Sequence, residues 1–169
     1  MNLYDLNGDK ITMLIDGKDI EMKHPTCYGK EYNKLVVSKC GKVWSVRYKK
    51  FIGQTNIVSG YTYYRLWTSK DWWGDGSGTY HKNCDNTEQR AILGHKMVMD
   101  TWAPLYDNPP EGIVWEEWKI VRDLPTVYDH ISKTVVIDHI DDNPTNNHLD
   151  NLRRVTSWDN QRTRKAKGI

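Results

Sequence analysis

The sequence predicts an α+β fold: an N-terminal antiparallel β-sheet with one helix, followed by a compact C-terminal strand–loop–strand–helix unit. Three observations predict it. Short apolar stretches of period two, punctuated by Gly, Asn and Asp, fill the first half of the chain. One stretch with helical spacing, residues 87–102, lies beyond them. From Thr134 onward a β-branched run gives way to an Asn-rich loop, a second short apolar run and a basic tail.

The elements follow in order. Residues 1–33 are turn-rich, with Asn7-Gly8 and Asp16-Gly17 as hairpin signals beside Ile11, Met13, Leu14, Ile15 and Ile20. Short strands are expected there. Leu35-Val36-Val37 reads as a strand that leads into a turn at Lys39-Cys40-Gly41-Lys42. Val43 to Lys50 alternates, with Val43, Ser45, Arg47 and Lys49 on one face and Trp44, Val46 and Tyr48 on the other. Gly60 to Trp67 is a third strand, rich in Tyr61, Tyr63, Tyr64 and Trp67. The three strands read as a small antiparallel sheet with one core face and one basic or aromatic face. A face of that kind can lie in a DNA groove, or it can be an ordinary half-exposed sheet.

Residues 69–87 read as a loop with Gly74, Gly76 and Gly78. No Gly-Lys-Ser/Thr follows, so the loop is not a phosphate cradle. Thr87 to Trp102 reads as a helix capped by Thr87, with Ala91, Ile92, Met99 and Trp102 on one stripe and Pro104 closing it. Residues 106–133 hold Pro109-Pro110, a Trp-Glu-Glu-Trp segment and Leu124-Pro125. They read as an insertion with one short helix or strand, packed through Trp115 and Trp118. The expected organisation is a β-rich region over 1–105, this insertion, and the C-terminal unit over 134–169.

Within that unit, Thr134 to Ile137 is a strand that ends at Asp138-His139. Neighbouring strand residues face opposite ways, so these two can share a site only where the strand bends or stops. Asp141-Asp142-Asn143-Pro144 makes it stop. Leu152 to Val155 is the second strand. Thr156 or Ser157 caps a final helix that carries Asn160 and ends near Gly168. No Cys follows Cys84, so no zinc staple lies inside the unit and the rest of the chain must support it. Each residue has an ordinary reading when taken alone: a turn with a surface His, and an Asn on a helix surface. Their combination is what carries weight.

Bulk properties narrow the setting. The net charge of +2 over 169 residues announces no partner, but Arg153, Arg154, Arg162, Arg164, Lys165 and Lys167 crowd the C-terminus against one acid, Asp159. Arg47, Lys49 and Lys50 form a second cluster. Localised positive charge is the footprint of phosphate binding. The 3 Cys have no framework spacing, and neither a membrane span nor a basic-apolar leader is visible, so a reducing cytoplasmic setting is expected.

Asp138-His139, Asn151-Leu152-Arg153 twelve positions on, and Asn160 nine further resemble the HNH endonucleases, whose motif is the ββα-metal or His-Me finger unit. The resemblance is greatest to the phage and intron-type homing branch, in which Asn replaces the last His of the name. It covers about residues 134–162. A looser likeness, over about 35–104, runs through Val37-Ser38, Gly41-Lys42-Val43, Trp44-Ser45, Gly60-Tyr61 and Gly94-His95-Lys96-Met97-Val98. The stretch 106–133 is longer than the linker such enzymes lead one to expect.

The resemblance implies a metal-dependent DNA endonuclease or nickase acting in the bacterial host cell if phage-encoded. His139 would take a proton from water, as a neutral imidazole can near pH 7. Asp138 and Asn160 would offer oxygens to Mg²⁺ or Mn²⁺, ions that keep several waters and do not require a full protein cage. Asn151 would orient the imidazole. Arg153, Arg154, Arg162, Arg164 and Lys165 would hold phosphates near the break, with Arg47, Lys49, Lys50 and Arg65 on the upstream sheet against double-stranded DNA. Two other readings stand beside this one: a DNA-binding regulator that keeps the fold without cutting, and a non-specific or RNA-directed nuclease. Separately, His24-x-x-Cys27 and His81-x-x-Cys84 are zinc-binding residue types in two distant pairs. Reduced cysteines and solvated histidines are the expectation there, with a structural zinc as the alternative.

Overall fold

The computed structural model describes residues 11–27, 29–56, 60–69, 79–80 and 87–168. It is an α+β fold. Strands β1 (Ile11–Ile15) and β2 (Lys18–Lys23) form a hairpin whose two turn residues, Asp16 and Gly17, have φ of 51° and 76°. Two consecutive positive values define the tight turn that matches strand twist, and Asp-Gly is suited to it. The Asn7-Gly8 signal lies outside the described residues. A two-strand ribbon, β3 (Thr26–Cys27) with β4 (Lys30–Glu31), leads into β5 (Leu35–Ser38).

The expected long strand over 43–50 is two pieces. β6 (Val43–Ser45) turns back into β7 (Lys50–Phe51), pairing Trp44 with Phe51 and Ser45 with Lys50. Ser45 Oγ accepts from the Tyr48 amide at 3.1 Å, and the Lys49 amide donates to the Ser45 carbonyl at 2.9 Å. Lys49 sits at φ 50° to close the turn. Apparent alternation through 46–49 was therefore a turn. The first sheet is β1-β2-β5-β6-β7, all antiparallel.

The third expected strand belongs to a different sheet. β8 (Thr55–Asn56), β9 (Thr62–Ser69), β10 (Thr79–Tyr80) and β11 (Thr87–Leu93) assemble in the order β10-β11-β9-β8. Here the expected helix over 87–102 is corrected. Its first half is β11, paired antiparallel with β9 from Thr87↔Ser69 to Leu93↔Tyr63. A full strand of hydrogen-bond partners on β9 outweighs a helical spacing that rested on few apolar positions. The helix that remains is α1 (Gly94–Trp102), buried through His95, Met97, Val98 and Met99. The Ala103 amide returns to the Met99 carbonyl, and Pro104 ends the element.

The insertion is more helical than expected. A short 3₁₀ turn at Leu105–Asp107 precedes α2 (Trp115–Arg122) and α3 (Pro125–Ser132). Trp118 is fully buried and donates Nε1–H to the Tyr106 carbonyl at 3.1 Å, with the Tyr128 ring 5.9 Å away. The C-terminal unit then pairs β12 (Val135–His139) with β13 (Leu152–Thr156) and ends in α4 (Ser157–Lys167). Leu152 lies in the same core cluster as Val37, Val43, Tyr64, Leu66, Ile92 and Val98, with Ile137 and Leu149 packed against it. The support that so small a unit needs comes from both sheets and α1.

Candidate active site

The register of β12 and β13 builds the site. Asp138 stands opposite Arg153, and His139 opposite Leu152. Alternation sends His139 to the core face with Leu152, and Asp138 with Arg153 to the other face. His139 ends the strand, so both residues still border one cleft. That cleft has a volume of about 390 Å³ and is lined by Asp138, His139, Asn160, Arg164 and Tyr61, among others. Asn160 reaches it from the first turns of α4. Thr156 caps that helix by accepting from the Asp159 amide at 3.1 Å while its hydroxyl donates to the Asp159 carboxylate at 2.6 Å. At the far end Gly168, at φ 74°, takes the left-handed cap position.

The loop between the strands satisfies itself. Asp141 accepts from the Asn143 amide, from Asn146 Nδ2 at 2.7 Å and from Asn151 Nδ2 at 2.8 Å. These donors hold its carboxyl below the usual carboxylate range, with Asn146 contributing most. Asn151 also accepts from the Asp141 amide and donates to the Asn146 carbonyl. Asn151 is thus tied into the loop. The expected Asn151–imidazole contact is replaced by another: His139 Nε2 lies 3.1 Å from Asn147 Oδ1. Asn147 in turn donates Nδ2–H to Thr62 Oγ1 at 2.6 Å. Asn151 is fully engaged with Asp141 and Asn146, which leaves Asn147 as the carboxamide beside the ring.

Two further rings surround His139, which is 5% exposed. His95 meets it edge-on with centroids 5.2 Å apart, and Tyr61 lies at 5.8 Å. Burial, with His139 and Lys96 nearby, pushes the His95 imidazole down to about 4. His95 is therefore neutral at physiological pH.

Asp138 is oriented by Arg153, whose Nε and Nη2 donate to Oδ2 at 3.0 and 2.9 Å. The same guanidinium donates to Glu111 of the insertion at 3.1 Å. Oδ1 of Asp138 has no hydrogen-bond partner among the described residues. Asn160 Oδ1 is buried and equally unpartnered. A buried acceptor without a donor is costly unless something else meets it. One carboxylate and one orphaned carboxamide oxygen bordering a single cleft fit a hard divalent cation that keeps water ligands. Among the described residues no three His, Cys, Asp or Glu side chains converge as a metal cage.

The expected phosphate-binding set divides. Arg164 lines the cleft, and Arg162 and Lys165 are exposed on α4. Arg47, Lys49, Lys50 and Arg65 are exposed in the N-terminal half. Arg153 is committed to Asp138 and Glu111. Arg154 is a correction: it is buried and paired with Asp100 of α1 at 3.0 Å, because alternation puts it on the face of Leu152. Of the suspected zinc ligands, His81 and Cys84 lie outside the described residues. His24 Nδ1 is 2.7 Å from the Leu35 carbonyl, and burial pushes the Cys27 thiol up to about 12. Asn147, Thr62, Tyr61 and His95 were not identified as site residues from sequence. The His95 stretch carried only a loose family likeness, and nothing distinguished Asn147 from its neighbours in the loop.

Residues 129–162 match the family model described as HNH endonuclease. No curated protein matches the chain. A solved structure described as "DNA binding and cleavage by the HNH homing endonuclease I-HmuI" is similar over 83% of this chain and 56% of its own, at 21% identity and a TM-score of 0.48. This chain therefore spans a little more than half the length of that protein. Asp138, His139, Asn147, Asn151 and Asn160 all fall inside the segment that is similar to the HNH endonuclease model, which covers residues 129–162 of the chain.

Proposed function

We propose that this chain is a metal-dependent endonuclease that hydrolyses phosphodiester bonds of double-stranded DNA. One observation carries the reading. A buried imidazole with one nitrogen already bonded, an anchored carboxylate and an orphaned carboxamide oxygen border the same cleft. His139 accepts a proton from water as the water oxygen attacks phosphorus and the 3′ oxygen departs. Base assistance of this kind contributes roughly 10²–10⁴-fold. Asp138 and Asn160 are the residues that would hold Mg²⁺ or Mn²⁺, which when bound supplies charge stabilisation at the phosphate and the leaving oxygen. Arg164, exposed and lining the cleft, is suited to hold a neighbouring phosphate. Asn at the last position of the motif favours the phage and intron-type homing branch, and with it a site-selective cut.

A supercoiled plasmid tests the reading. With Mg²⁺ the protein should convert it to open circle or linear product, and EDTA or His139→Ala should stop conversion while DNA binding persists. Intact plasmid and intact genomic DNA, with binding retained, would favour the non-cutting regulator instead.

A further inference from the structure

An imidazole serves as a base only through the nitrogen that lacks hydrogen, and the fold around His139 decides which one that is. Nε2 is spent on Asn147 Oδ1 at 3.1 Å. Asn147 Nδ2 is spent on Thr62 Oγ1 at 2.6 Å. Asn147 is 3% exposed and Thr62 1%, so solvent offers neither an easy substitute partner. A carboxamide has one accepting and one donating end. With the donating end on Thr62, oxygen faces the ring, and it is satisfied only when Nε2 carries the hydrogen. Nδ1 then keeps its lone pair and is the ring nitrogen without a hydrogen bond among the described residues, on a side chain that lines the cleft.

We propose that Asn147, held by Thr62, is a positioning residue that locks His139 in the Nε2–H tautomer. The lock crosses the chain: Asn147 sits in the loop of the C-terminal unit, and Thr62 opens β9 of the second sheet. Two glycines make room for it. A Cβ on Gly94 would lie 2.5 Å from Asn147 Nδ2 and 2.8 Å from Thr62 Oγ1. A Cβ on Gly41 would lie 3.1 Å from both Asn147 Cβ and its carbonyl oxygen. Backbone from two separate elements thus closes on one asparagine. The amide turned end for end would take the Thr62 hydroxyl hydrogen on Oδ1, give Nδ2–H to the ring and leave Nδ1 protonated. The two arrangements predict opposite tautomers.

The lock rests on the reading of His139 as the base, yet it is measured without DNA or metal. ¹⁵N-edited NMR of histidine side chains in the full metal-free chain, in alkaline buffer, reports the tautomer; His139→Gln assigns the signals. The expected result is a protonated Nε2 and a pyridine-like Nδ1, shifting toward a mixture in Thr62→Val and restored in Thr62→Ser. In the cleavage assay Thr62→Val should lower kcat by roughly 10–100-fold with KM little changed, the scale of losing a group that orients a site residue. A wild-type Nδ1–H tautomer would overturn the lock, as would Thr62→Val signals identical to wild type. The expected tautomer in a protein that cuts no DNA would leave the lock standing and remove the nuclease reading.

Discussion

Arg153 gives two hydrogen bonds to a single oxygen of Asp138, Nε–H at 3.0 Å and Nη2–H at 2.9 Å, from the position directly opposite on the paired strand. The other carboxylate oxygen is thereby aimed rather than neutralised. Glu111 takes a third hydrogen of the same guanidinium, so the insertion braces the brace. The Glu111 amide also donates to the Arg154 carbonyl at 2.8 Å, which fixes that loop against β13.

Arg153→Gln should therefore act on cleavage more than on folding. Loss of the charge-assisted bonds at a partly exposed site is expected to cost about 1–3 kcal/mol in urea unfolding. Cleavage should fall roughly 10–100-fold, with the Mg²⁺ concentration for half-maximal rate moving upward, because the proposed ligand Asp138 loses its orientation. An unchanged metal requirement would show that Asp138 does not depend on Arg153.

Asn160→Ala should separate stability from activity. Its Oδ1 is buried without a donor, so removal takes away an unmet acceptor rather than a contact. The position lies in the early turns of α4, where Ala is the better helix former by up to about 0.7 kcal/mol. Cleavage should vanish while Tm holds or rises, the pattern expected where function strains a fold. A marked fall in Tm would mean that the carboxamide is structural.

The basic tail divides by face, and salt dependence can show it. Arg154→Met removes one partner of a buried pair, a change that costs about 3–5 kcal/mol in general. Lys96 remains 2.9 Å from Asp100, so the low end is expected, with no change in the salt slope of DNA binding. Arg164→Ala should leave urea unfolding nearly unchanged and reduce that slope by about 0.9. A salt-slope change in Arg154→Met would place that cation on DNA after all.

These faces mark how far the sequence could be read. The strand ending at His139, the capped helix bearing Asn160 and the Asp16-Gly17 hairpin follow from local rules, because β-branched runs, cap residues and turn dipeptides act over a few positions. Arg154 was legible by the same alternation that places Leu152 in the core. The split of Val43–Lys50 was hidden because Lys49 adopts a left-handed conformation that its identity does not announce. β11 was hidden because its partner strand, not its own spacing, decides its form. The Asn147–Thr62 contact spans 85 positions, and no local pattern can announce it.

Acid should expose the histidine pair. His95 is buried beside His139, and its imidazole is pushed from 6.5 down to about 4. Between those values the unfolded chain binds a proton that the folded chain refuses, so stability rises with pH across that window. The contribution is complete above about pH 6.5 and is lost as pH falls toward about 4; a displacement of that size corresponds to at most about 3 kcal/mol. Urea midpoints measured at closely spaced pH values should show this fall, and His95→Gln should flatten it by removing the titration. The substitution also tests the reason for a neutral neighbour. In the proposed reaction, where His139 takes a proton from water, a cationic His95 with ring centroids 5.2 Å apart would oppose the new charge, and an uncharged ring does not. His95→Lys, if folded, should therefore depress kcat further than His95→Gln does. Equal kcat values for the two variants would show that the charge at this position has no bearing on the base.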